Sequence, residues 1–342
     1  MSAVPAAEPP VESRVHAPGR VNLIGEHTDY TGGLVFPMAI DRGTTVSFVP
    51  TASRIELSSD AADGTLQLDL PTSLPPSAVT PAWGRYVAAM ARQLDAVVGL
   101  TGTITSDIPA GAGLSSSAAL ECAIGLALGF TGSPTELALA AQQAEHAATS
   151  VPTGIMDQLC IAAARPGHAT LIDCRTLGVE HVPVPDGIAV VVEFISHRTL
   201  EGSGYADRVD DCARAEAELG PLRDATIADV TAAKALDPRT RRRARHVVSE
   251  NARVVEFAEA FRAGDLATAG QLMTESHESL RLDFGISTPA MDAAVDRAMS
   301  TPGTFGARMT GGGFGGCIVT IGEPDAPRRG WTVHAAAGAR YL

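Results

Sequence analysis

The sequence predicts an α+β protein built from two domains. Three observations carry that expectation. Residues 14–70 are a series of short β-type runs separated by turns, whereas the second half of the chain is dominated by helical patterns. Between them, Pro183, Pro185 and Gly187 cluster just before an apolar, β-branched run, GIAVVVEFI (187–195). With 342 residues the chain has room for one large domain or two of ordinary size. The boundary is expected near residue 186, giving an N-terminal domain over residues 1–186 and a C-terminal domain over residues 187–342. Residues 1–13, MSAVPAAEPPVES, are expected to be a disordered tail.

The elements follow in order. RVHAPGRVNLIG, GTTVSFVP, RIELSS and LQLDL read as strands, and the Pro/Ser-rich stretch 71–81 reads as a loop. WGRYVAAMARQLDAVVG reads as an amphipathic helix, TGTITSDI as a strand, and GAGLSSSAALECAIGLALGF as a loop running into a helix. SPTELALAAQQAEHAA is a helix with Ser133 as N-cap, Pro134 at its first position and Glu136 completing a capping box. PTGIMDQLCIAAA is a loop and a helix, and ATLIDCRTL and EHVPVP are strands. After the buried strand 187–195 come four helical stretches: YADRVDDCARAEAELG, RRRARHVVSENARVVEFAEAFRAG, DLATAGQLMTESHESLR and PAMDAAVDRAMS. A Gly-rich turn and a strand, GARMTGGGFGGCIVTI, close the pattern. The Arg241–Arg243 run reads as a solvated helix face rather than a phosphate patch.

Composition excludes several functions. Hydrophobic residues make up 45 %, enough for a sizeable core, and the net charge of −13 opposes binding to nucleic acid or to an anionic membrane. No apolar run approaches the ~20 residues a membrane span needs, and no leader peptide is legible at the N-terminus. The only lysine, Lys234, sits in AAKAL, so neither a Gly-Lys-Ser/Thr phosphate loop nor a protein-kinase strand lysine exists. Five widely spaced cysteines without a CxxC read as reduced thiols of a cytosolic protein.

Chemistry concentrates in three Gly-rich stretches. Residues 17–33, APGRVNLIGEHTDYTGG, begin as a strand and end in a polar turn carrying Arg20, Glu26, His27 and Asp29. Carboxylates and imidazoles suit sugar hydroxyls, each of which both donates and accepts. In PAGAGLSSSAALE (109–121), Gly111 and Gly113 allow close backbone approach, and Ser115, Ser116 and Ser117 open a helix. Exposed N–H groups and the positive dipole end make that an anion site without lysine. In TGGGFGGC (310–317), five glycines in eight residues exceed what turn-making needs. Asp157 in PTGIMDQ follows a Pro-x-Gly turn at a helix start, where a lone Asp is more often an N-cap than a catalytic group.

The segment 17–33 closely resembles the signature of the galactokinase family. The other two Gly-rich stretches resemble the second and third motifs of the wider family of galactokinase, homoserine, mevalonate and phosphomevalonate kinases. PTGIMDQ and ESHESLRLDFGIS (275–287) also match, so the resemblance covers roughly residues 14–320. It implies a two-domain small-molecule kinase fold of the galactokinase/mevalonate kinase type. The N-terminal domain would resemble ribosomal protein S5 domain 2, and the C-terminal domain would be ferredoxin-like. It implies phosphoryl transfer from ATP to O1 of galactose, the first step of galactose catabolism, by a cytoplasmic monomer using Mg²⁺. It assigns Asp157 as general base and Arg20 as its partner, with Glu26, His27, Asp29, Gly154 and Tyr205 contacting the sugar. Gly111, Gly113, Leu114, Ser115, Ser116 and Ser117 would wrap the nucleotide phosphates and Trp83 would border the adenine. Mg²⁺ would be held by a serine, Ser116 or Ser117 with Ser117 preferred, and by Glu145.

Two departures from the family pattern stand out. Glu193-Phe194 replaces an expected Asp-Thr or Asp-Ser, and the stretch after Ile321 lacks the helix expected to cover the last sheet, implying a trimmed and less well packed C-terminal end. A related kinase acting on arabinose or N-acetylgalactosamine, and a non-catalytic galactose sensor, are the alternatives. Intact Glu26, His27 and Asp29 favour galactose, and Ser117-Ala118-Ala119 follows the kinase pattern.

Overall fold

The computed structural model describes residues 12–197 and 204–342. All but the last two residues of the expected N-terminal tail therefore lie outside it, and Ser13 already belongs to the first strand. The elements run β1 (Ser13–Ile24), β2 (Leu34–Thr51), β3 (Arg54–Ser59), β4 (Thr65–Asp69), α1 (Gly84–Gln93), β5 (Gly99–Ser106), α2 (Ser116–Ala127), α3 (Pro134–Thr149), α4 (Met156–Ala163), β6 (His168–Asp173) and β7 (Gly178–Pro183). They continue as β8 (Ala189–Ser196), α5 (Tyr205–Leu219), α6 (Ile227–Ala232), α7 (Pro238–Ala263), α8 (Leu266–Ser279), α9 (Pro289–Met299), β9 (Thr304–Thr310), β10 (Gly316–Gly322), β11 (Trp331–Val333) and β12 (Arg340–Tyr341).

Two sheets organise the molecule. One follows the order β12-β1-β2-β5-β3-β4, with β6 and β7 added beside β2; the other is β11-β8-β10-β9. The change of sheet between Pro183 and Ala189 falls where the Pro/Gly cluster stands in the sequence. β1 and β2 are buried along most of their length because helices from both halves of the chain pack on them: α2 and α4 from the N-terminal half, α7 from the C-terminal half. One apolar core consequently runs through both halves, from Val21 and Phe36 to Phe257, Phe261 and Val319. Stacked Phe257 and Phe261 meet Phe36 edge-on at 5.3 and 5.6 Å.

Local chemistry sets the ends of the elements as the sequence suggests. Ser133 accepts from the Glu136 N–H and the Glu136 carboxylate accepts from the Ser133 N–H, completing the capping box on α3. Five features are not legible in the sequence pattern: α6, the strands β9, β11 and β12, and the start of β2 that precedes Arg42. The Arg241–Arg243 run corrects the expected solvated face. Arg241 donates to the Ala233 and Leu236 carbonyls and Arg243 is buried against Asp283, because α7 is packed on more than one side; only Arg242 stays exposed.

The C-terminal end has no helix. Residues 323–330 form a loop pinned by Arg328, which donates to the Gly303 carbonyl at 2.7 Å. β11 then pairs with β8, the Ala336 and Ala339 N–H groups bond to Ala39 and Ile161, and β12 joins β1. This end is thus tied to both sheets by backbone hydrogen bonds. Glu193 accepts from Arg297 at 2.6 Å on the edge of a second, smaller cavity. Among the described residues no helix is long and apolar enough to cross a membrane.

Candidate active site

A cavity of about 450 Å³ opens where the ends of β1, α2, α4 and the 310–317 turn converge. Arg20 lies deep in it at 2 % exposure, on a bulged stretch of β1. Its Nε donates to Asp157 Oδ1 at 2.7 Å, its Nη2 stands 2.5 Å from the same oxygen, and its Nη1 donates to the Gly113 carbonyl at 2.8 Å. Burial works against the Arg20 charge, but Asp157 and Glu26 outweigh it and hold the guanidinium above its ordinary pKa. Close approach depends on Gly19, where a Cβ would stand 2.7 Å from the Leu114 carbonyl.

Asp157 falls in the first turn of α4, whose N-cap is Ile155, so the N-cap reading does not hold. Its second oxygen accepts from Ser115 Oγ at 2.6 Å. Ser115 occupies the N-cap of α2 in the left-handed backbone region, φ 63°, and its hydroxyl caps no N–H group of that helix. The α2 N-terminus therefore keeps its N–H donors and its positive dipole end turned toward the cavity, beside Gly111, Gly113, Ser116 and Ser117. Leu114 does not line the cavity; its side chain is in the core and its carbonyl accepts from the Arg20 N–H. Trp83 is also outside the lining, its indole donating to the Asp63 carbonyl at 3.3 Å, whereas Tyr86 one turn on does reach it.

Glu145 reaches the cavity from α3. One oxygen accepts from Ser117 Oγ at 2.8 Å and the other from Gln158 Nε2 at 2.5 Å. Burial, then the nearby Asp157 charge, pushes the Glu145 pKa up. A carboxylate desolvated beside another carboxylate is a place that a cation stabilises. One carboxylate and one hydroxyl suit Mg²⁺, which keeps waters and substrate phosphates in its shell. Among the described residues no group of three or more His, Cys, Asp or Glu forms a protein metal cage.

The opposite end of the cavity carries Glu26, His27, Asp29, Gly154 and Tyr205. Glu26 is 1 % exposed, and its Oε1 accepts from the Gly311 N–H at 2.6 Å. His27, at φ 61°, faces the Gly312 carbonyl through Nε2, which must donate, leaving Nδ1 to accept from Tyr30 Oη at 2.9 Å. Its ring also packs against Tyr205 and Phe284, with centroids at 5.0 and 4.7 Å. Asp29 has its pKa raised to about 7 by burial, with the Asp157 and Glu26 charges adding to it. Gly154 is there because nothing larger fits: a Cβ would lie 1.9 Å from Asp29 Oδ2. The loop holding Gly154 is fixed by Gln142 and His146 of α3, both bonded to the Thr153 carbonyl.

Sequence reasoning missed a set of supporting residues. Ser115 as the donor to Asp157 and Gln158 as the brace on Glu145 follow from no motif. On α7, His246 bonds the Glu26 carbonyl, Glu250 accepts from the Gly25 N–H, and Asn251 Oδ1 accepts from the Leu34 N–H. Their signal was present, since three polar residues at i, i+4 and i+5 interrupt the apolar face of HVVSENARV.

The galactokinase galactose-binding signature matches residues 6–50, the N-terminal domain model of GHMP kinases matches 84–165, and their C-terminal model matches 257–336. The Methanococcus jannaschii mevalonate kinase superposes with a TM-score of 0.71 at 20 % identity, covering 96 % of this chain and 99 % of that one, which shows the shared fold. Fold and family models together define a small-molecule kinase of the GHMP type, a mixed α/β protein built on two sheets. A galactokinase from Chloroflexus aggregans is 44 % identical over 328 residues, covering 90 % of this chain and 83 % of that protein. The crystal structure of Lactococcus lactis galactokinase complexed with galactose matches with a TM-score of 0.90 at 30 % identity, covering 97 % and 95 % of the two chains. The chain belongs to the galactokinase family.

Proposed function

We propose that this chain is an ATP-dependent sugar kinase that phosphorylates galactose, and that it transfers the γ-phosphoryl group to the O1 hydroxyl. The observation that carries the reading is the Arg20–Asp157 pair at the seam between the acidic, imidazole-bearing end of the cavity and the open N-terminus of α2. Asp157 accepts the proton of the O1 hydroxyl, held in place by Arg20 and Ser115. Arg20, bonded also to the Gly113 carbonyl of the phosphate loop, offsets charge where the phosphoryl group passes. In phosphoryl transfer the protein supplies mostly positioning and electrostatics, and each of these contacts is of that kind.

Glu26 and Asp29 accept from sugar hydroxyls, and Gly154 and Tyr205 border the ring. A buried acceptor left without its hydroxyl costs about 1–3 kcal/mol, so an epimer lacking the match is rejected. Gly111, Gly113 and Ser115–Ser117 hold the phosphates, and Tyr86 rather than Trp83 borders the nucleotide. Mg²⁺, when bound by Ser117 and Glu145, supplies charge neutralisation on the phosphate oxygens. A monomer is taken as the working unit, and five free buried cysteines support a reducing, cytoplasmic setting. The two domains meet near residue 186.

The test is coupled ADP release with Mg-ATP against galactose, glucose, arabinose and N-acetylgalactosamine. Turnover with galactose well above the others supports the reading. Preference for another sugar moves the substrate within the family, and galactose binding without turnover identifies a sensor.

A further inference from the structure

Behind Glu26 lies an ion network whose other members do not line the cavity. Arg308, on β9, is fully buried and is the largest fully buried side chain among the described residues. Its Nη1 donates to the Asn22 carbonyl at 3.1 Å and stands 3.7 Å from Glu26 Oε1, while its Nη2 stands 4.0 Å from Glu250 Oε1. Glu250, also fully buried, accepts from the Gly25 N–H at 2.9 Å, from Ser276 Oγ at 2.6 Å and from Arg253 Nε at 2.8 Å. His246 donates from Nε2 to the Glu26 carbonyl at 3.0 Å and bonds Ser279 through Nδ1. Arg308, Glu250 and His246 all come from the C-terminal half, and they converge on residues 22–26 of the N-terminal half.

Such a network is a poor way to make a protein stable. Desolvating a guanidinium and two carboxylates costs as much as their attraction returns, and apolar replacements of similar volume are often neutral or better. Arg308 also leaves Nε and Nη2 without hydrogen-bond partners. What the arrangement does supply is a fixed place for one carboxylate. Glu26 Oε1 is held between the Gly311 N–H and the Arg308 guanidinium, and its backbone is held by His246 and, one residue earlier, by Glu250.

We infer that Arg308 and Glu250 are positioning residues for the sugar: one guanidinium shared between Glu26 and Glu250 sets the direction of the Glu26 carboxylate, so that these two residues of the C-terminal half act on sugar affinity without touching the ligand themselves. The inference rests on the proposed galactose reading. It separates the sugar from the nucleotide, because none of these groups reaches Gly111–Ser117, Glu145 or Asp157 by any contact described above.

The test is a comparison of KM values for galactose and ATP, with calorimetric galactose binding, in Arg308→Met, Arg308→Lys, Glu250→Gln and Glu26→Gln, and in the Arg308→Met/Glu26→Gln double variant. Arg308→Met should raise the galactose KM at least tenfold and leave the ATP KM within twofold. Arg308→Lys should recover part of the loss. In the Glu26→Gln background, Arg308→Met should add less than threefold, because the two act through one group. If Arg308→Met does not fold, Glu250→Gln, which keeps shape and volume, should still raise the galactose KM threefold or more with the ATP KM unchanged. A lowered melting temperature with unchanged galactose KM, an equal rise in both KM values, or fully additive single effects would overturn the inference. Absence of galactose turnover and of galactose binding in the unsubstituted protein would instead refute the functional reading itself.

Discussion

The two ends of the cavity are built by opposite means. At the acidic end, side chains do the work and most are already engaged: Glu26 with Gly311, His27 with Tyr30 and Gly312, and Asp29 pressed against Gly154. At the phosphate end the donors are backbone N–H groups and short hydroxyls at an uncapped helix, beside Glu145, whose pKa burial pushes up. One end is held by contacts among its own side chains, and the other presents the N-terminus of a helix. On the proposed function the difference makes selectivity and catalysis separable: rigid, buried groups would choose the sugar, and the open helix N-terminus would take the nucleotide.

Breaking the link between the ends should have the largest effect. Arg20 bonds both Asp157 and Gly113, so Arg20→Met should lower kcat roughly 10²–10³-fold, the range for loss of one preorganised electrostatic contact. It should also weaken both substrates; a change in one KM alone would show that the two ends are not joined through this residue. Damage confined to the phosphate end comes next. Glu145→Gln should raise the Mg²⁺ concentration for half-maximal rate by about tenfold or more, at least what losing an outer-shell partner of a metal ligand costs, and leave galactose binding intact, read by titrating Mg²⁺ at saturating ATP and galactose.

How much of this was legible in the sequence divides along the same line. The acidic end was legible because Arg20, Glu26, His27 and Asp29 lie within ten consecutive residues, and the phosphate loop because its glycines and serines are contiguous. The supports were not. Arg308 is a lone cation just ahead of a Gly-rich turn, in a strand the pattern does not mark, and Glu250 lies 225 residues from the Gly25 N–H it accepts from. Periodicity could flag His246, Glu250 and Asn251 as polar on an apolar face, but only the packing of α7 on β1 and β2 says what they hold. Trp83 and Leu114 show the converse limit. Leu114 stands between lining Gly113 and Ser115 and Trp83 three residues before lining Tyr86, yet the core takes the Leu114 side chain and the Asp63 carbonyl takes the Trp83 indole N–H.

At the acidic end, a purely steric change should act on the sugar alone. Gly154→Ala places a methyl against Asp29, so the galactose KM should rise about tenfold, near 1.4 kcal/mol, while the ATP KM holds. Steady-state kinetics with each substrate varied in turn checks this.

The smallest expected effect is a pH dependence. Asp29 has its pKa raised to about 7 from 3.8, by burial first and then by Asp157 and Glu26. Below pH 7 it is protonated in the free protein. A sugar hydroxyl donating to it favours the ionised form, so binding lowers this pKa and releases a proton. Galactose affinity should therefore rise a few-fold as pH increases through 7 and level off above it. Calorimetry in buffers of different ionisation enthalpy should detect the released proton near pH 7, and uptake of a proton would reverse the assignment.

The measurement that bears most directly on the central claim is galactose binding and turnover in Asp157→Asn, compared side by side with the unsubstituted protein. The amide keeps the shape at the seam between the two ends and removes the base. The account predicts galactose affinity within a few-fold of the parent and kcat lower by roughly 10²–10⁴-fold, the usual worth of a positioned general base. Near-parental kcat, or loss of galactose binding together with turnover, would contradict it.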